Sequence, residues 1–148
     1  MNLKKALSKN SILPQLQAET KAEAIEELVD FLIATSRVPD RDKVLEAVRA
    51  REEKMSTGMQ NGIAIPHGKT DAVSELLVAI AIKKDGIDFD AMDGQPCTIF
   101  IMTLSPENRT GPHIQFLAEI SKLLGSAELR EKLVHAGSAD EILHLLTA

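Results

Sequence analysis

The chain has 148 residues, which is one domain, or one domain and a short tail, and long enough to bury a sizeable core without staples. It is 44% hydrophobic and 26% charged, the make-up of a globular protein, and its net charge of −5 argues against the basic stripe that nucleic acid requires. A single cysteine excludes an internal disulfide, and 3% aromatic content with no Trp or Tyr excludes rows of stacking platforms.

The longest apolar run, Leu76 to Ile82, is too short to span a bilayer. Met1 to Leu7 holds two lysines with no apolar core behind them, so no leader is expected and the expected setting is the cytosol. Thr20 and Glu23 have capping-box spacing ahead of the stripe Ile25, Leu28, Val29, Leu32 and Ile33. This predicts a helix from about Lys21 to Ser36. Asp40, after Pro39, caps a second helix to about Glu53, with Val44, Ala47 and Val48 inward. From Met55 the chain becomes turn-rich and then extended. Asn61-Gly62 signals a tight turn, and Pro66 stops the ladder, which predicts His67 in a loop just past a short strand.

Leu76 to Ile82 and Ile99 to Leu104 are apolar on both alternating faces, as in strands covered on both sides. Asp85-Gly86 and Asp93-Gly94 predict turns around a short Ile87-Asp88-Phe89 piece. From about Gly111 the pattern is helical, with the stripe Phe116, Leu117, Ile120, Leu123 and Leu124. Ser126 and the Ser138/Glu141 pair cap two shorter helices. Helices, then strands, then helices imply an α/β single-domain sandwich over residues 1–148: one mixed sheet flanked by helices on both faces.

Four histidines are present: His67, His113, His135 and His144. None has metal-ligand spacing, so no metal is expected, and no Walker loop, dinucleotide fingerprint or Gly-x-Ser-x-Gly elbow occurs. Cys97 opens an apolar strand and reads as a buried, inert thiol. His67, between Pro66 and Gly68, presents an imidazole beside a glycine that permits close approach. Gly68 also offers a backbone N–H to an anion, and a neutral imidazole is a good nucleophile near pH 7. Arg51 follows Val48 by three and Val44 by seven, so it continues the apolar stripe and needs an anion or a carboxylate such as Glu52 or Asp88. His113, three before Phe116, lies inward in a first helical turn with free N–H groups. Converging, the three would form a small cationic site for a phosphoryl group. The residues alone leave open a loop histidine, a core histidine and a snorkelling arginine.

The run "REEKMSTGMQNGIAIPHGK", Arg51 to Lys69, resembles the phosphorylation motif of the fructose/mannitol-class enzyme IIA proteins of the bacterial phosphotransferase system. "GIDFDAMDGQP", Gly86 to Pro96, and "LSP" ahead of a His113-led helix resemble further stretches of that family, in order. The resemblance implies a cytoplasmic phosphocarrier with a helix-flanked mixed sheet. Its acceptor falls on His67, its second active-site histidine on His113 and its arginine on Arg51. Ser56, Thr57 and Gly68 become phosphate-binding candidates, although Ser56 and Thr57 also read as plain turn residues. The implied donor is HPr or an HPr-like carrier, and no cofactor is implied. The implied recipient is an enzyme IIB domain, reached by association with a membrane permease, or a regulatory target, and a homodimer is compatible. A phosphoramidate stays reactive, so onward transfer implies no metal in this domain. "FDAMDGQP" leans toward the nitrogen-regulatory type.

The family usually has a small residue where this chain has Gln60. Glutamine there would narrow the site or add a hydrogen bond. A second reading follows, a non-catalytic binding module with a degraded phosphorylation site. A third, a metal-dependent hydrolase using the histidines, requires bound metal.

Overall fold

The computed structural model describes residues 3–148; Met1 and Asn2, part of the segment read for a leader, lie outside the described residues. Its first elements are a one-turn helix, α1 (Leu3–Ala6), and a two-residue strand, β1 (Ile12–Leu13). Helix α2 (Lys21–Ser36) begins where the capping signal places it: Thr20 Oγ1 accepts from Glu23 N–H. The return bond of the box reaches Glu19 N–H, one residue earlier than the motif implies. Asp40 caps α3 (Arg41–Lys54) through Lys43 N–H.

Among the described residues the sheet has five strands. Besides β1 they are β2 (Ile63–Ala64), β3 (His67–Lys69), β4 (Leu77–Ile87) and β5 (Cys97–Ser105). Its order is β1-β4-β5-β2, and β3 also pairs with β5. Only β4 and β5 are antiparallel; β1, β2 and β3 each pair in parallel. Helices α4 (Gly111–Leu123), α5 (Ala127–Val134) and α6 (Ala139–Thr147) complete the chain.

Alternation along β5 divides the core in two. Phe100, Met102 and Leu104 pack with Leu28, Leu32, Val44 and Val48 of α2 and α3. Ile99 and Ile101 point to the other face, with Phe116, Ile120, Leu133, Ile142 and Leu146 of α4, α5 and α6. Helices therefore cover both faces, as the apolar runs require.

Two expectations are corrected. Asp85-Gly86 does not end β4; the strand passes through it with a register irregularity between Ile82 and Ile87, and Ile87 still pairs with Cys97. Gly86 takes a φ of 81°, which lets the strand kink and continue as a bulge. His67 is not in a loop but opens β3, opposite Thr103. Pro66 lacks an N–H, yet its carbonyl accepts from Thr103 N–H, so the ladder resumes across it.

Gly68 fixes how closely β3 and α3 pack. A Cβ there would lie 3.1 Å from both Val48 Cγ2 and Val48 N. Gly68→Ala is expected to destabilise the fold by about 1–3 kcal/mol, the usual cost of overpacking. The measurement is a denaturant midpoint at constant m-value. An unchanged midpoint would mean that α3 can back away from β3 freely.

Candidate phosphoryl site

His67 and Thr103 are paired residues on adjacent parallel strands, so their side chains leave the same sheet face. That face is covered by α4, which delivers His113 from its first turn. The His67 and His113 rings lie 5.4 Å apart between centroids, tilted by 47°.

His67 is half-buried, and its Nδ1 lies 3.0 Å from Ile65 O. A carbonyl oxygen only accepts, so Nδ1 carries the proton and Nε2 keeps its lone pair. His113 is buried, with Nε2 2.9 Å from the Thr103 hydroxyl. Burial, then repulsion from His67 and Lys69, pushes its pKa down to about 4. It is therefore neutral at pH 7 and donates through one nitrogen only.

The other candidates are placed differently. Arg51, at the last turn of α3, donates Nη1–H to Met55 O at 2.9 Å. The structure brings the two histidine rings together, and Arg51 is bonded to its own helix end. The residue that completes the buried stripe Val44, Leu45, Val48 is Glu52 rather than Arg51. Thr57 gives both its N–H (2.7 Å) and its hydroxyl (2.6 Å) to the Glu52 carboxylate. Ser56 gives its hydroxyl to Phe89 O at 2.7 Å and accepts from Gly58 N–H. Their hydroxyl hydrogens hold the loop together instead of standing open as phosphate donors.

Gly68 is corrected in the same way. Pro66 O and Thr70 N–H both bond to β5, so the two-residue repeat turns the N–H of Gly68 toward β5 as well. Gln60 is exposed and starts the tight turn in which Asn61 and Gly62 both take positive φ. Cys97 is buried, and burial, followed by Asp93 and Asp88, pushes its thiol up to about 11. Among the described residues, no three His, Cys, Asp or Glu side chains are grouped to hold a metal ion.

Sequence reasoning missed Glu52 and Thr103 as parts of the site. Glu52 stands four after Val48, which marks the buried stripe as clearly as Arg51 did. Thr103 is a hydroxyl inside an otherwise apolar run, and such a group needs a partner.

A helix-flanked mixed sheet thus holds one imidazole protonated on Nδ1 next to a buried, neutral second histidine, a pair whose chemistry suits holding a phosphoryl group. The chain matches the family "Phosphoenolpyruvate-dependent sugar phosphotransferase system, EIIA 2" over residues 5–148. It belongs to that family and is an enzyme IIA-type phosphotransferase. It is 44% identical over 127 residues to the fructose-specific EIIA component of Haloferax volcanii, covering 86% of this chain and 82% of that one. The crystal structure of nitrogen regulatory protein IIA-Ntr from Neisseria meningitidis superposes with a TM-score of 0.89 at 30% identity, covering 98% and 99%. Enzyme IIA-mannitol of Escherichia coli, solved in complex with phosphorylated enzyme IIB-mannitol, gives a TM-score of 0.82 at 26% identity, covering 95% and 96%.

Proposed function

We propose that residues 1–148 form one carrier domain, and that His67 Nε2 takes the phosphoryl group from the phosphohistidine of an HPr-type donor in the cytosol. The observation that carries this reading is the Nδ1–H bond to Ile65 O, which leaves Nε2 as the nucleophile. In transfer, the Nε2–P bond forms as the donor's N–P bond breaks, in line and through a loose transition state. Positive charge develops on the ring, and the Nδ1–H bond strengthens as it becomes charge-assisted. With Thr103 donating to His113 Nε2, His113 holds its proton on Nδ1 and offers it to a phosphoryl oxygen. The first turn of α4 adds the partial positive charge of a helix N-terminus. Arg51 supplies a full positive charge once it releases Met55 O.

The recipient we propose is an enzyme IIB domain of a fructose-type permease. The 44% identity with a fructose-specific EIIA component, against 30% with IIA-Ntr, favours that branch. The close superposition on IIA-Ntr supports the second reading, a carrier whose phosphorylation state is read by a regulatory target. Incubation with phosphoenolpyruvate, enzyme I and HPr should load the chain, and added fructose-type IIB should then discharge it. Loading without discharge would move the protein to the regulatory branch.

A further inference from the structure

Among the described residues, the mechanism leaves one buried carboxylate unused, Glu52, which is 8% exposed. Burial opposes its charge, but hydrogen bonds from Thr57 and Lys21 outweigh it and hold the carboxyl below its usual range. Three donors meet on it: Thr57 N–H, the Thr57 hydroxyl, and Lys21 Nζ at 2.9 Å. So many bonds on one carboxylate fix what they touch, and Thr57 is what they touch most.

From Thr57 the connection runs to the acceptor. Thr57 O accepts from Ile65 N–H at 3.0 Å. Ile65 O in turn accepts from His67 Nδ1 at 3.0 Å. The carbonyl that selects the tautomer of His67 therefore belongs to a residue whose own N–H is tied to Thr57, and Thr57 is tied to Glu52. Lys21 anchors the far end, bridging Glu52 to Asp90 and lying 4.9 Å from the centre of the Phe89 ring. Ser56 grips the same Phe89 through its carbonyl.

We infer that Glu52 is a positioning residue for the acceptor: through Thr57 and Ile65 it holds the carbonyl that keeps the proton of His67 on Nδ1 and the lone pair on Nε2. This rests on His67 being the acceptor. It assigns Glu52, a buried carboxylate bonded to Thr57 and Lys21, a part in setting the transfer rate. A slack Ile65 carbonyl would let the ring populate the opposite tautomer, with Nε2 blocked by its proton.

The test uses Glu52→Gln, Glu52→Asp and Thr57→Val in the full chain. Glutamine keeps the shape but offers one acceptor oxygen in place of two. Aspartate keeps both oxygens on a shorter stem. Valine removes the Thr57 hydroxyl and leaves its N–H. Each is read twice: by long-range 1H–15N correlation of the His67 ring without phosphate, and by the initial rate of loading from phospho-HPr. Glu52→Gln is expected to shift His67 from the Nδ1–H form toward a mixture and to slow loading about tenfold. Glu52→Asp should recover part of both, and Thr57→Val should move both the same way by a smaller factor. A folded Glu52→Gln protein with the wild-type tautomer and rate overturns the inference. Should that variant fail to fold, an unshifted tautomer in Thr57→Val overturns it equally. Wild type that takes up no phosphoryl group would instead strike the acceptor assignment, a separate failure, because the tautomer is read without transfer.

Discussion

His67→Gln is expected to take up no phosphoryl group under conditions that load the wild type fully. The substitution removes the nucleophile, and no nearby group replaces it. His113 is buried, with Nε2 engaged to Thr103, so it is neither free nor placed for in-line attack by a docked donor. Its low proton affinity, with a pKa of about 4, also makes it a weak nucleophile. His135 and His144 lie on the two C-terminal helical segments, away from β3. Loss should therefore be complete rather than partial, and visible by intact mass. Residual loading would place the acceptor elsewhere.

His113→Gln is the second large effect, and it has two readouts. In transfer, the variant loses the neutral donor that faces His67 and should load slower by about a hundredfold, the usual cost of removing one oriented donor. In stability, it loses a pH dependence. The folded chain protonates His113 only near pH 4, whereas the unfolded chain does so near 6.5. Between those values the unfolded state binds more protons, so wild-type stability falls as the pH is lowered through that window. The loss is on the order of 3 kcal/mol. The groups that bear on His113 are His67 and Lys69, and both oppose its charge. Glu52 and Asp71, held below the usual carboxylate range, add their own losses at lower pH in both proteins. The difference between wild type and variant isolates His113. Denaturation at pH 7, 5.5 and 4 should show wild type weakening more than His113→Gln. Parallel curves would mean that His113 is not held neutral by the fold.

The sheet-and-helix sandwich was legible because its strongest signals are local. The cap at Thr20 and the stripe behind it set α2 to the residue. The doubly apolar runs set β4 and β5 as covered strands. What the residues concealed depended on partners distant in sequence. β1 is two residues before Pro14 and exists because it pairs with Ile80 and Ala81. β4 crosses Asp85-Gly86 because Cys97 waits on the other side to pair with Ile87.

The site divides the same way. His113 was marked by its place on the stripe before Phe116, and its partnership with His67 came through the family motif. Arg51 and Glu52 are adjacent, and one residue of helical rotation decides which is buried. Periodicity alone admits both, and Thr57 and Lys21 settle the matter for the glutamate. Ser56 and Thr57 read equally as phosphate donors and as turn residues; their bonds to Phe89 and Glu52 put their hydroxyls in the loop. Thr103 shows no role until His113 is placed against it.

The central claim is that the phosphoryl group sits on His67, and on its Nε2. The direct measurement loads the chain with phosphoenolpyruvate, enzyme I and HPr, then records intact mass and the 31P and ring 15N spectra beside a His67→Ala control. One acid-labile phosphoryl group at Nε2 of His67, absent from the control, is the predicted result. A phosphoryl group on Nδ1, on another residue, or on the control would contradict the account.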